Sequence, residues 1–285
     1  MRTLKITLSY DGADFVGWQR QANGRSVQAE LEEALSQIDK RDVPVVGAGR
    51  TDSGVHALGQ VASALIESAI PVASLRQALN TSLPADVRIV SIEETPGFFN
   101  ARHHARSKTY RYRIFNGDTI SPFDRRYAWH VPYPLDLSAM QTAGQEFIGR
   151  HDFAAFQASG SRVLTTGRTI TASDWVDDAF AEGGGAPGEI LHLCGRVLVY
   201  QIAGTGFLRH MVRTIVGTLV EVGAGRRAAG SMGLLLASKD RALAGPTAPP
   251  HGLYLVQVDY DTAGADLTRE PPKVEEEEDG HDILQ

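Results

Sequence analysis

The segment that most constrains the fold of this chain is a glycine-rich decapeptide, Gly47-Ala-Gly-Arg-Thr-Asp-Ser-Gly-Val-His56. It separates two apolar runs, Val43 to Val46 and Ala57 to Ile66. Its three glycines allow the backbone to form a tight, exposed turn. We therefore predict a strand on each side of a turn that presents a single carboxylate, Asp52.

The surroundings of Asp52 indicate chemistry but leave alternatives. Arg50 lies two residues before it, and a carboxylate beside a guanidinium stays ionised and can act as a nucleophile or a base. An aspartate in a glycine-rich turn is more often a turn residue that hydrogen-bonds its own backbone. A dinucleotide-binding loop is disfavoured, because Asp52 stands where the third glycine would be. Asp52 and His56 alone are too few ligands for a metal site.

Length and composition describe an ordinary globular protein. The 285 residues suffice for two compact domains or one large one, and 42% hydrophobic with 22% charged residues is typical of soluble proteins. The one cysteine, Cys194, excludes an internal disulfide framework and suits a reducing compartment. There is no signal-peptide pattern and no apolar run of about 18 residues. We expect a cytoplasmic protein without a membrane segment.

The net charge of −6 is unevenly distributed. Residues 261–285 contain nine acids and two bases, whereas residues 1–260 contain 25 acids and 26 bases. The acidic run Glu275 to Asp279 predicts a disordered tail over residues 263–285. The rest of the chain is close to neutral, so the overall charge does not exclude a nucleic-acid partner.

Hydrophobic periodicity predicts alternating strands and helices. Thr3 to Tyr10 alternates as a half-buried strand does. Ser26 is placed as the N-cap of a helix that begins at Val27, and Gly206 to Val222 predicts a strongly apolar helix. The same reasoning predicts helices near 74–80, 138–147 and 234–236, strands at 87–92, 108–115, 170–175, 190–202 and 252–256, and a glycine-rich hairpin at 183–188.

Two segments suit RNA. The loop 11–25 contains Phe15, Trp18 and Arg20, and aromatic rings beside arginine can stack on bases and hold phosphates. The alternative is a loop that Trp18 anchors to the core. Residues 102–130 contain seven lysines and arginines and only two acids, which suits an RNA backbone. The alternative is a solvated outer face with tyrosines packed inside.

The C-terminal half contributes one further charged candidate. Arg209 lies near the start of the predicted apolar helix, where its charge opposes the helix dipole. We therefore expect an anionic partner for it; the alternative is solvation at the surface.

The decapeptide resembles the catalytic loop of the tRNA pseudouridine synthase A family. The Tyr10-Asp-Gly-x-x-Phe-x-Gly-Trp-Gln-Arg-Gln21 and Phe207-Leu-Arg-His-Met-Val-Arg213 patterns extend the resemblance, which covers roughly residues 3 to 260. It implies that Asp52 is the nucleophile and that Tyr110 stacks on the target base. It also implies that Arg209 pairs with Asp52 and that Leu253 lines the active site.

These observations predict an α+β fold with two similar antiparallel-sheet domains, at residues 1–105 and 106–262, and helices on one side. The resemblance adds that the two sheets join across a positively charged active-site cleft and that the enzyme is a homodimer. The predicted function is isomerisation of uridine to pseudouridine in the anticodon stem-loop of tRNA, with Arg50 helping to hold the base. No cofactor is expected, because the reaction involves no redox change and no group transfer. The alternatives are a non-catalytic RNA-binding protein and a metal-dependent phosphoesterase using Asp52 and His56.

Overall fold

The strands and helices of this protein fall into two units. A computed structural model describes residues 1–95, 97–160, 163–176 and 195–261. The first unit contains residues 1–111 and 250–261, and the second contains residues 112–249. The predicted hairpin at 183–188, Cys194 and the acidic tail lie outside the described residues. Within the described residues, none of the helices has the length and apolarity that a membrane crossing requires.

Most of the predicted strands and helices are present, although several of their ends differ from the prediction by a few residues. The strands are β1 (Arg2–Tyr10), β2 (Val45–Gly47), β3 (His56–Ile66), β4 (Val87–Thr95), β5 (Ala105–Gly117), β6 (Trp129–Val131), β7 (Gly149–Asp152), β8 (Gly167–Val176), β9 (Gly195–Gly204) and β10 (Leu253–Tyr260). The helices are α1 (Val27–Asp39), α2 (Val72–Ser82), α3 (Leu137–Gln145), α4 (Met211–Gly223) and α5 (Met232–Ser238). The predicted α+β class with antiparallel sheets is therefore confirmed.

The first unit is built on β1. This strand pairs antiparallel with both β3 and β4, and the strand order is β4-β1-β3-β10-β5, with β2 paired to β3. The predicted alternation is confirmed, because Leu4, Ile6 and Leu8 are fully buried. The predicted cap is confirmed as well, since the Ser26 hydroxyl accepts the Ala29 N–H at the start of α1.

A parallel pairing brings the last strand to the end of the decapeptide. In the register of β10 and β3, Tyr254 lies opposite His56 and Leu255 opposite Ala57. Leu253 therefore stands beside the point where the decapeptide becomes β3. The loop is therefore bordered by β3 and β10, two strands that are neighbours in the sheet but far apart in the sequence.

The second unit has the strand order β5-β9-β8-β7, with antiparallel pairing in β7/β8 and β8/β9. Residues 105–111 of β5 belong to the first unit and residues 112–117 to the second. β6 runs parallel to β5, and α3 packs against α4. Three phenylalanines, Phe147, Phe153 and Phe156, are fully buried and in mutual ring contact.

The predicted start of the apolar helix is wrong. The helix α4 begins at Met211, and its N-cap, His210, has a left-handed backbone with φ 62°. The apolar residues before it mislead because Leu208 is buried in the preceding loop rather than in a helical turn. The predicted core face within the helix, which includes Ile215 and Leu219, is buried.

Candidate active site

The decapeptide backbone is held by hydrogen bonds at several points. The Thr51 carbonyl accepts the Trp18 N–H at 3.1 Å, and the Asp52 carbonyl accepts the Val55 N–H at 3.1 Å. The Gly49 carbonyl accepts from the Gln60 amide at 2.9 Å. A loop held at both its entry and its exit keeps the Asp52 side chain in a defined place, as a catalytic carboxylate requires.

A buried polar cluster lies beneath the loop. The Tyr10 and Thr51 hydroxyls are 2.8 Å apart, and the Gln60 amide donates to Tyr10 at 3.5 Å. Burial raises the pKa of Tyr10 to about 12, although the hydrogen bonds to Thr51 and Gln60 act in the opposite direction, so this hydroxyl remains protonated. This cluster is not predicted from the sequence, where its one signal is Gln60 inside the apolar run 57–66.

The loop 11–25 supports the decapeptide through a close backbone approach. Gly17 has φ 116°, and a Cβ there would come within 2.6 Å of the Thr51 carbonyl oxygen, so only glycine fits this position. Phe15 and Trp18 are each 2% exposed. The aromatic residues of this loop are thus core residues that anchor it, rather than rings available to stack on bases.

Tyr110 lies within electrostatic range of Asp52. Asp52 is half-buried, and Tyr110 on β5 is 7% exposed. Burial raises the pKa of Tyr110 well above its ordinary value, and the neighbouring Tyr10 and Asp52 raise it further by electrostatic repulsion of the phenolate. Tyr110 is therefore a protonated phenol within electrostatic range of the candidate nucleophile.

Lys108 occupies the same strand face two residues before Tyr110. A Cβ built on Gly49 would lie 2.9 Å from the Lys108 ammonium and 3.5 Å from its Cε. The lysine side chain thus lies against Gly49, adding positive charge beside the decapeptide. One lysine of the predicted basic segment is therefore directed at the loop.

Arg50 is part of the decapeptide, whereas Leu253 begins the strand that pairs with its end. Arg50 is exposed, and its Nε donates to the Gln19 side-chain oxygen at 3.0 Å. Leu253 is 6% exposed and begins β10. Pro250, just before that strand, packs against Gly54 of the decapeptide. The roles predicted for Arg50 and Leu253 at the site remain predictions.

His56 has a structural place in the fold. It is 2% exposed, its Nδ1 accepts the Gly12 N–H at 3.1 Å, and its ring stacks on Tyr254 with centroids 4.8 Å apart. In the part of the chain that the structure describes, there is no group of three or more histidine, cysteine, aspartate or glutamate residues that could hold a metal ion.

Arg209 lies in the second unit, whereas Asp52 lies in the first. It is exposed and precedes α4, and its carbonyl accepts the Ala158 N–H at 3.0 Å. The charge of Arg209 is therefore displayed from a loop and not from a helical turn. Its pairing with Asp52 remains a prediction.

A comparison with protein families gives the class of this protein. The family model described as tRNA pseudouridine synthase matches residues 6–103 and 143–261. The chain therefore belongs to the tRNA pseudouridine synthase family. Because tRNA pseudouridine synthases are isomerases, the predicted enzyme class is confirmed.

Individual relatives agree with this assignment. The chain is 42% identical over 262 residues to tRNA pseudouridine synthase A of Streptococcus pneumoniae (strain P1031), covering 92% of this chain and 100% of the relative. It is 43% identical over 265 residues to tRNA pseudouridine synthase A of Limosilactobacillus fermentum, covering 92% and 97%.

Among solved structures, a chain of a Cbf5-Nop10-Gar1 complex matches 88% of this chain and 48% of its own length. The TM-score is 0.35 and the identity 11%. This agreement is too low to support an inference about fold or function.

Proposed function

We propose that this protein converts uridine to pseudouridine in the anticodon stem-loop of tRNA, with Asp52 as the nucleophile. The observation that carries the proposal is the placement of Asp52 on an anchored loop within electrostatic range of buried Tyr110. Family membership supports the reaction class. The residue roles and the position in the tRNA are our proposal.

The proposed reaction moves one bond within the nucleotide. The bond from the ribose carbon to the base nitrogen breaks, the uracil turns, and a base carbon bonds to the ribose carbon. That base carbon then releases a proton, and the freed nitrogen gains one. Atoms and electrons balance without an oxidant or a group donor, so the chemistry requires no cofactor. The Asp52 carboxylate can start it by attacking either the base or the ribose carbon.

The uridine must leave the base stack before Asp52 can reach it, which costs a few kcal/mol. Only 7% of Tyr110 is exposed, so a uracil can stack only on that exposed part, after it has left the RNA helix. Arg50 holds the flipped nucleotide from the exposed side, and Leu253 supplies an apolar wall. The protonated Tyr110 can donate a hydrogen bond. It can accept the proton from the base carbon only if it transfers its own hydroxyl proton to another group.

Basic side chains at the decapeptide supply the positive charge in the proposed mechanism. Lys108 and Arg50 carry positive charge beside the decapeptide, where an RNA backbone can be bound. In the proposed site, Arg209 also pairs with Asp52. We further propose that the protein acts as a homodimer in the cytoplasm, with tRNA as its partner.

The test has a cellular and a purified arm. Pseudouridine is mapped in tRNA from cells with and without this protein, and modification of the anticodon stem-loop should depend on it. In the purified arm, Asp52→Asn should abolish turnover, because the amide keeps the shape but not the nucleophile, while tRNA binding stays nearly intact. The exposed Asp42→Asn is the matched control and should behave as wild type.

Each arm can contradict a different part of the proposal. Turnover by Asp52→Asn within about tenfold of wild type would reject Asp52 as nucleophile. Protein-dependent pseudouridine found only outside the anticodon stem-loop would reject the proposed position. A tRNA-binding protein without any product would favour the non-catalytic alternative.

A further inference from the structure

A chain of side-chain hydrogen bonds connects Arg50 to helix α1. The Arg50 Nε donates to the Gln19 Oε1 at 3.0 Å, and the Gln19 Nε2 donates to the Gln28 Oε1 at 2.7 Å. The Gln28 Nε2 in turn donates to the Glu32 Oε1 at 3.0 Å. We name these four residues, Arg50, Gln19, Gln28 and Glu32, the amide relay.

The orientation of the central amide is dictated by main-chain groups. The Gln28 Oε1 also accepts the backbone N–H of Arg20 at 3.0 Å, and its Nε2 also donates to the carbonyl of Val45 at 3.0 Å. A backbone N–H can only donate and a carbonyl can only accept, so the Gln28 amide cannot be reversed without losing both bonds.

The polarity of Gln19 follows from that of Gln28. Since the Gln28 oxygen faces Gln19, the Gln19 amide must present its NH₂ group to it, which leaves the Gln19 oxygen for Arg50. A reversed Gln19 would direct an NH₂ group at the guanidinium, which has only donors. The hydrogen bonds of the amide relay therefore have one favourable direction, in which the Gln19 oxygen accepts from Arg50.

Glu32 fixes the far end of the relay to the start of the decapeptide. Its side chain is 11% exposed and pairs with Arg20 at 2.5 Å. Its Oε1 accepts the Val45 N–H at 3.0 Å, and Val45 is the first residue of β2, the strand that leads into the decapeptide. The same buried carboxylate thus supports both the base of the loop and the orientation of Arg50.

We propose that Gln19 and Gln28 are positioning residues, which fix the guanidinium of Arg50 before the substrate binds. An exposed arginine otherwise loses much rotamer freedom when it engages a ligand. A guanidinium already held at Nε has its plane set, so less ordering is needed when it contacts the flipped nucleotide. This inference rests on the proposed function, in which Arg50 holds that nucleotide.

The test is a double-mutant cycle on kcat/KM. Gln19→Met keeps the side-chain length but removes both hydrogen bonds, and it should lower kcat/KM by about tenfold or more. If Gln19 acts through Arg50, the same substitution in an Arg50→Ala background should change kcat/KM by less than about twofold. Gln28→Met should also lower kcat/KM, and the part of that loss that acts through Arg50 should disappear in the Arg50→Ala background, whereas the part due to its bonds to the Arg20 and Val45 main chain should remain.

Controls separate positioning from stability. Gln37→Met changes an exposed glutamine of helix α1 that is outside the amide relay. This variant should leave kcat/KM unchanged. Melting curves are measured for every variant. If Gln19→Met does not fold, the cycle is carried by Gln28→Met.

The inference is overturned if either glutamine variant has normal kcat/KM, or if its loss is as large in the Arg50→Ala background as in wild type. The proposed function fails separately, if the wild-type protein forms no pseudouridine in tRNA. An active wild type with an additive cycle therefore rejects the relay alone.

Discussion

The buried hydroxyl of Tyr10 offers a test of how the decapeptide is held. Tyr10→Phe removes one oxygen and leaves the ring volume unchanged. The Gln60 amide keeps its bond to the Gly49 carbonyl at 2.9 Å, whereas the Thr51 hydroxyl loses its 2.8 Å partner. The substitution thus perturbs the residue directly before Asp52 without opening a large cavity.

The size of the effect follows from burial. Tyr10 is 4% exposed and Thr51 is 7% exposed, and leaving a buried polar group without its partner costs about 1–3 kcal/mol. Each kcal/mol lowers the melting temperature by roughly 2–4 °C in a chain of this size. Because Thr51 adjoins Asp52, we also expect kcat to fall by about tenfold or more.

The assay compares Tyr10→Phe with Tyr260→Phe. The Tyr260 hydroxyl donates to the Ala101 carbonyl at 2.8 Å, so this control removes the same atom at a position outside the decapeptide. Both variants should melt earlier, but only Tyr10→Phe should lose turnover. Normal kcat in a destabilised Tyr10→Phe protein, or an equal loss of kcat in both variants, would refute the anchoring argument.

The same substitution has a signature at alkaline pH. Burial raises the pKa of Tyr10 to about 12, above its value of about 10 in an unfolded chain. The native state therefore retains a proton that the unfolded state releases. This contribution is complete below pH ~10 and is lost as the pH rises towards 12. The free energy of unfolding should consequently fall less steeply above pH ~10 in Tyr10→Phe than in wild type.

Three further outcomes are expected. Tyr110→Phe should bind tRNA but react much more slowly if the hydroxyl handles a proton. Tyr110→Ala should also lose base stacking of about 1–3 kcal/mol. Near-normal rates for both variants would mean that Tyr110 is only a core residue. Arg209→Met should reduce turnover strongly, and Arg209→Lys should reduce it less. Neither substitution should have much further effect once Asp52 is Asn. A normal rate for Arg209→Met would mean that Arg209 and Asp52 do not pair. Although desolvation opposes ionisation, the Ser68 and Glu67 N–H groups and Arg41 keep the pKa of Asp39 below its ordinary value. Asp39→Asn should therefore destabilise the protein at pH 7, by an amount that shrinks as the pH falls below about 4; denaturation curves at both pH values test this.

Local pattern was enough to predict most of the secondary structure. The alternation of Leu4, Ile6 and Leu8 predicts β1, and Ser26 marks the start of α1, because side-chain periodicity and capping act between near neighbours. The family resemblance likewise rests on contiguous runs of residues. Such runs identify the class of enzyme before any distance is known.

Local pattern failed where long-range packing decides the conformation. The apolar residues around Leu208 fit a helix equally well, but His210 adopts a left-handed backbone and the helix begins one residue later. In the loop 11–25, composition could not distinguish a stacking ring from an anchor. The burial of Trp18 under the decapeptide decides for the anchor.

The support of the site came only from the tertiary structure. Asp52 and Arg50 stand out in the sequence, but Tyr10, Gln60 and Gln28 do not, because isolated polar residues carry no periodic signal. The pairs Tyr10–Thr51, Tyr10–Gln60 and Gln19–Arg50 are 41, 50 and 31 residues apart in sequence and meet only when the chain folds. The sequence by itself therefore determined that Asp52 is the candidate nucleophilic carboxylate. Packing determined what holds that residue in place, since hydrogen-bond geometry depends on distances that a linear pattern does not contain.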